Sequence, residues 1–154
     1  MTTYYLDTSA AVKLYVPEVG STWLQQIFVA PRPPVAVSSH LLRVELWSAF
    51  ARRLREYSVS TDEYAEMCDL FAEDRQNLYR FVPINEAAIR GACEYVECYP
   101  LRAADALHLS AALNTNRQLL KTRRRGLVFL CADDRLLQAA AAEGLAVDNP
   151  NNHP

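Results

Sequence analysis

The chain has 154 residues, is 51% hydrophobic and carries a formal net charge of −2. That length suits one domain around its own core, and no apolar stretch approaches the roughly 20 residues that cross a bilayer. With neither a basic start nor a long apolar run at the N-terminus to mark a signal peptide, a cytoplasmic protein is expected. The slightly acidic balance excludes indiscriminate nucleic-acid binding, which needs a broad basic face.

In chain order, Tyr4-Tyr5-Leu6 is an apolar run that ends in Asp7-Thr8-Ser9, the pattern of a strand stopping at a carboxylate. Ala10 to Tyr15 and Ser21 to Val29 have helical apolar spacing, interrupted by Pro17 and Gly20. Pro31-Arg32-Pro33-Pro34 is a stiff connector into a short strand at Val35 to Ser38. Leu41 to Arg55 reads as an amphipathic helix with Glu45 in its early turns. Ser60 with Glu63 forms a capping-box pattern for a helix running to about Tyr79. A strand is predicted at Phe81 to Ile84, and Asn85 caps a helix that ends near Tyr99-Pro100. Leu101 to Leu113 reads as the next helix, and a basic turn leads to a strand at Leu127 to Leu130. Asp133 opens a helix from Asp134 to Ala142, Gly144 stops it, and Leu145 to Val147 is a last strand. Alternation of this kind predicts an α/β fold with a parallel sheet. Residues 149 to 154 are expected to be a frayed, disordered tail.

Cys68, Cys93, Cys98 and Cys131 lie in apolar or helical patterns without paired C-x-x-C spacing, so they read as reduced thiols. All basic residues except Lys13 and Lys121 are arginine, and they cluster at Arg52, Arg53, Arg55 and at Arg117, Lys121, Arg123, Arg124, Arg125. Arginine binds phosphate bidentately and stacks on bases, so both clusters suit RNA, and the second is taken as the candidate RNA contact.

Asp7 and Asp133 each follow a predicted strand and therefore project from one edge of a parallel sheet, where ligands bind. Glu45 and Asp105 sit among apolar neighbours on helices, and a carboxylate in such a setting pairs with a cation or binds something. Each has a plain structural reading: helix caps for Asp7 and Asp133, arginine partners for Glu45 and Asp105. Together they point to one site that wants a divalent metal, with the carboxylates within metal-bridging reach of one another.

Tyr5-Leu6-Asp7-Thr8-Ser9-Ala10, Val44-Glu45-Leu46, Arg102-Ala103-Ala104-Asp105-Ala106-Leu107-His108-Leu109 and Ala132-Asp133, with Glu143-Gly144-Leu145 beyond, occur in this order. Over Tyr4 to about Val147 the chain resembles PIN-domain ribonucleases, and more narrowly the VapC toxins of type II toxin-antitoxin modules. The resemblance implies a three-layer α/β/α sandwich over residues 1 to 148 and RNA endonuclease activity dependent on Mg²⁺ or Mn²⁺. It also implies a small cognate antitoxin that inserts a basic side chain into the site, and a homodimer formed through the apolar faces of the first helices. By position, Asp7, Glu45, Asp105 and Asp133 match the acidic quartet that is both catalytic and metal-binding, and Ser9 matches a supporting polar residue. Cys131 stands where that family usually has a hydroxyl, and Asp134 competes with Asp133 for the fourth corner.

The donor set suits the metal, since Mg²⁺ prefers carboxylate oxygens, waters and phosphate oxygens. His108, three residues after Asp105, reads as structural rather than as a general base. Two other functions were weighed. An aspartyl-nucleophile phosphatase would use Asp7 but usually carries a second acid at the position of Ser9. A non-catalytic RNA-binding or protein-interaction module has no reason to keep acids where phosphate must sit.

Overall fold

The computed structural model describes residues 1–154. Its elements are β1 (Thr3–Leu6), α1 (Thr8–Ala11), α2 (Ser21–Phe28), β2 (Val35–Ser39), α3 (Leu41–Arg55), α4 (Thr61–Asn77) and β3 (Tyr79–Val82). They continue with α5 (Glu86–Cys98), α6 (Ala103–Lys121), β4 (Val128–Leu130), α7 (Asp134–Ala142) and β5 (Ala146–Asp148). The five strands form one sheet in the order β3-β2-β1-β4-β5, and every neighbouring pair is parallel.

Strand alternation divides the interior into two cores. Tyr5, Val37 and Phe129 face one side, where they pack with Leu109, Leu113, Leu136 and Ala140 of α6 and α7. Leu6, Ala36 and Leu130 face the other, against Leu24, Leu42, Leu46, Phe50, Met67 and Phe71 of α2 to α4. Successive strand residues point to opposite faces, so a sheet covered on both sides reads as continuous apolar runs, as these do. The result is the α/β/α sandwich expected from the resemblance.

Strand β1 is central, and the chain builds outward through β2 and β3 before returning to its other side at β4. The winding therefore reverses between β1 and β4, and a crevice opens outside their carboxyl ends. Leu6 pairs with Leu130 at that edge, and the Asp7 N–H donates to the Leu130 carbonyl at 3.1 Å. Helix α3 matches its expected bounds, and the capping box of Ser60 and Glu63 is formed.

Three expectations need correction. Helix α6 runs on to Lys121 instead of ending at Leu113. Asn114-Thr115-Asn116 looks like a break, but Thr115 Oγ1 donates back to the Ala111 carbonyl and Asn116 Oδ1 accepts from the Leu127 N–H that leads into β4. Strand β3 is Tyr79–Val82 rather than 81 to 84, because Pro83 has no N–H to continue the ladder. Residues 149–154 pack rather than fray: Pro150–Asn152 is a 3-10 turn, and the His153 ring stacks on Trp23 with centroids 3.8 Å apart. Asn149 Nδ2 donates to Asp134 Oδ1 at 3.1 Å, which ties this segment to the start of α7.

Candidate functional site

A cavity of about 530 Å³ opens at the switch point and is lined by Asp7, Glu45, Asp105 and Asp133 together with Thr8, Ser9, His108, Arg52, Arg53 and Arg102. A larger one, about 810 Å³, lies at the opposite edge of the sheet among Met1, Thr2, Tyr4, Ile27, Arg32, Pro33 and Pro34, and holds no carboxylate. The smaller cavity is the one that gathers the four carboxylates.

Asp7 is delivered by the end of β1 and is only 4% exposed. Its Oδ1 accepts from the Ala10 N–H at 2.9 Å, Ser9 Oγ donates to both carboxylate oxygens at 2.8 and 2.9 Å, and the Cys131 thiol donates to Oδ2 at 3.3 Å. Burial nonetheless pushes its carboxyl above the ordinary range, against the opposing effect of His108 and these hydrogen bonds.

Glu45 reaches the cavity from α3. Burial raises its carboxyl, but the hydrogen bond and charge of His108 and the Thr8 hydroxyl outweigh burial and hold it below its ordinary value. Thr8 Oγ1 donates to Glu45 Oε2 at 2.5 Å, and His108 Nε2 lies 2.6 Å from the same oxygen. The other ring nitrogen, Nδ1, is 3.1 Å from the Tyr5 hydroxyl, whose oxygen accepts from the Ser39 N–H. In either charge state of the ring Nε2–H goes to Glu45, and in the neutral ring Tyr5 gives its hydrogen to Nδ1. His108 is thus a buried brace that aims Glu45 into the cavity.

Asp105 projects from the first turn of α6, where burial raises its carboxyl, reinforced by the charges of Asp133 and Glu45 and opposed by the backbone and charge of Arg102. Asp133 caps α7, its Oδ1 accepting from the N–H groups of Arg135 and Leu136 at 2.9 and 3.3 Å. Of the two adjacent acids it is Asp133 that lines the cavity, while Asp134 faces Asn149. The fully buried Cys131 occupies the expected hydroxyl position: its Sγ accepts from the Asp133 N–H at 3.2 Å and lies 3.6 Å from Ser9 Oγ. One thiol therefore joins the Asp7 carboxylate to the Asp133 backbone, and burial pushes its own titration far up.

The four acids share one cavity, yet as they stand no three His, Cys, Asp or Glu side chains are grouped closely enough to hold a metal ion. Three of them are engaged elsewhere, Asp7 by Ser9 and Ala10, Glu45 by His108 and Thr8, and Asp133 by its helix end. The donor set fits a hard divalent cation all the same, because clustered carboxylate oxygens, among which Asp133 and Glu45 raise the titration of the partly buried Asp105, are what such a cation neutralises. Asp7, Glu45, Asp105 and Asp133 are the residues that would hold it.

The basic residues divide. Arg52, Arg53 and Arg102 line the acidic cavity, and Arg53 is held there by Glu18 Oε1 at 2.7 Å, which also pairs through Oε2 with the buried Lys13. Arg117 and Lys121 line a different cavity, of about 300 Å³, between α6 and the loop after β3. At 1.5 Å per residue Lys121 lies roughly 24 Å along α6 from Asp105, and Arg123, Arg124 and Arg125 form an exposed turn beyond it. Thr8 and Arg102 lie within motifs that the sequence shows, Arg102 as a possible partner of Asp105, but neither is read there as lining the site.

The chain matches the PIN domain family over residues 4–141. It is 31% identical over 143 residues to Ribonuclease VapC45 and, to the same extent, to Ribonuclease VapC49, both of Mycobacterium tuberculosis, covering 93% of this chain and 92% of each relative. Its fold is similar to that in the crystal structure of VapBC2 from Rickettsia felis bound to a DNA fragment from their promoter. There the TM-score is 0.62 at 12% identity, over 96% of this chain and 98% of that one. The structure of FitAB bound to the IR36 DNA fragment aligns with a TM-score of 0.59 at 17% identity, over 96% and 94% of the two chains.

Proposed function

This chain belongs to the PIN-domain family, and from that membership and the cavity at its switch point we propose that it is a metal-dependent endoribonuclease, the toxin of a toxin-antitoxin pair. The observation that carries the reading is the convergence of Asp7, Glu45, Asp105 and Asp133 on one cavity rimmed by Arg52, Arg53 and Arg102. Mg²⁺ or Mn²⁺, when bound, supplies positive charge to the phosphate oxygens and lowers the pKa of an attacking water. The carboxylates hold the cation, while Thr8 and His108 fix the direction of Glu45 and Ser9 fixes Asp7. The rim arginines bind the phosphodiester bidentately and orient it. A water oxygen bonds to phosphorus and releases a proton to solvent, the bond from phosphorus to the leaving oxygen breaks, and that oxygen takes up a proton from solvent.

No protein nucleophile is required, and Asp7 is poorly placed to be one, since it is buried with both oxygens occupied. The curated relatives are named as ribonucleases, and the similar solved structures include a toxin-antitoxin complex from Klebsiella pneumoniae. Here too the partner is a small antitoxin whose arginine or lysine enters the acidic cavity, with the toxin working in the cytoplasm as a homodimer. Elution of the toxin as a monomer, with no neighbouring-gene product co-purifying, would count against both partners.

The activity is tested on labelled RNA with purified protein in Mg²⁺, in chelator, and with Asp105→Asn. Cleavage by the parent in Mg²⁺ alone, and its loss by at least about 100-fold in the variant, is expected, as for removal of a charge that organises the reacting groups. Equal cleavage in chelator would refute the metal requirement.

A further inference from the structure

Helix α3 presents three faces. Leu42, Leu46 and Phe50 are fully buried against the core. Glu45, Ser48, Ala49 and Arg52 line the acidic cavity. His40, Arg43, Val44 and Trp47 line a separate cavity of about 380 Å³, completed by Arg75 of α4. At about 100° per residue Val44 falls between the last two faces, and it lines both cavities.

This second cavity has an unusual lining. Neither Arg43 nor Arg75 takes part in any of the chain's ion pairs. Arg43 meets only His40 Nδ1, at 3.4 Å, and Arg75 Nε is buried without a hydrogen-bond partner. A buried donor left unpaired is costly, and Arg75 Nε is the only guanidinium nitrogen of the chain in that position. Between them Trp47 is 41% exposed and rests on Phe71, its ring centroid 6.2 Å away, while Val44 is 68% exposed. An indole face accepts any base by stacking, and a guanidinium fork accepts its phosphate.

We propose that this pocket is a nucleotide subsite for the RNA substrate, where a base stacks on Trp47 and its phosphate is held by Arg43 and Arg75. The strand crosses α3 over Val44 from the acidic cavity, a distance of about one helix diameter, 10–12 Å. The inference rests on the ribonuclease reading of that cavity. A lining of two arginines and an exposed indole with no acid suits a phosphate and a base, which favours RNA over a basic antitoxin segment, and Val44 joins the two cavities along one path.

The test uses a labelled single-stranded oligoribonucleotide, bound in chelator and cleaved in Mg²⁺. Trp47→Ala and Arg43→Ala should each weaken binding about tenfold, a loss of one stacking or phosphate contact, and raise KM more than they lower kcat. Trp47→Phe should restore most of the binding, and Arg90→Ala, which removes an exposed cation of α5, should change nothing. Trp47 also packs on Phe71, so the exposed Arg43 carries the test independently of folding. If the parent cuts RNA and both alanine variants bind and cut as it does, the subsite is overturned while the nuclease reading stands. A parent that binds through Trp47 and Arg43 yet cuts nothing supports the subsite and overturns the nuclease. Variants that keep RNA affinity but lose a small co-expressed protein partner overturn the inference in favour of a protein surface.

Discussion

Burial of Asp7 raises its carboxyl above the ordinary range despite the hydrogen bonds from Ser9, Ala10 N–H and Cys131. The folded chain therefore binds a proton there more readily than the unfolded chain, and ionising Asp7 at neutral pH costs stability. Asn keeps the shape and can still cap α1 through its oxygen. In the metal-free protein at pH 7, Asp7→Asn should raise the thermal midpoint by about 2–4 °C, the shift that about 1 kcal/mol gives in a domain of this size, while cleavage is lost. Calorimetry in chelator reads the first effect and an RNA assay the second; a lowered midpoint would show that the hydrogen bonds outweigh burial. His108 illustrates the complementary economy, one ring satisfying Tyr5 and directing Glu45.

At the scale of elements, the start of α2 and the C-terminal turn depend on each other. Gly20 has φ of +83° and a Cβ built there would lie 2.1 Å from the Pro150 carbonyl oxygen. An L side chain is disfavoured in that backbone region by roughly 1–2 kcal/mol even without a clash. Gly20→Ala should therefore cost about 2 kcal/mol or more in the full chain. In a chain ending at Asp148 the clash is gone, so only the backbone cost should remain. Urea unfolding of the four proteins checks this, and equal losses in both lengths would mean that the Pro150 contact does not matter. Truncation also removes the stack of His153 on Trp23 and the bond from Asn149 to Asp134, so the tail should shield α2 and the start of α7 from exchange.

For the whole molecule, the acidic cavity is expected to make stability depend on pH and on added Mg²⁺ together. Asp7 and Asp105 are raised in the folded state by burial, Asp105 also by neighbouring acids, and Asp74 by burial beside Tyr15. Raised carboxyls favour folding below their folded values and lose that contribution as pH rises from about 4. Glu45, held low by His108 and Thr8, acts in the opposite sense, adding stability above its ordinary value. With the buried Asp7 and the partly buried Asp74 and Asp105 all raised, the metal-free midpoint should fall as pH rises above the ordinary carboxylate range. Saturating Mg²⁺ binds the ionised acids and should flatten or reverse that slope, adding about 2.7 kcal/mol at a hundredfold excess over Kd. Thermal scans across pH with and without Mg²⁺ measure it. The same slope in both conditions would argue that the cavity holds no cation.

Much of this was legible in the amino-acid order. Apolar runs at Tyr4-Tyr5-Leu6 and Leu127 to Leu130, helical spacing over Leu41 to Arg55, and caps at Ser60, Asn85 and Asp133 are local signals that tertiary contacts reinforce. Those signals place Asp7 and Asp133 at strand ends, so their presence at one sheet edge follows from parallel topology alone. Local signals carry no information about partners distant in the chain. The strand order that sets β4 beside β1, and hence Asp133 beside Asp7 and Cys131, is a property of the packed sheet. The bracing of Glu45 by His108, 63 residues away, belongs to the same class. The extension of α6 through Asn114-Thr115-Asn116 and the ordered tail run against their local signals because their compensations come from tertiary bonds to Leu127, Asp134 and Trp23. The sequence determined which residues could carry the chemistry, because residue type and periodicity are local. The tertiary structure alone decided which of them share a cavity, which arginines rim it, and which cations are left beside Trp47 without an acid.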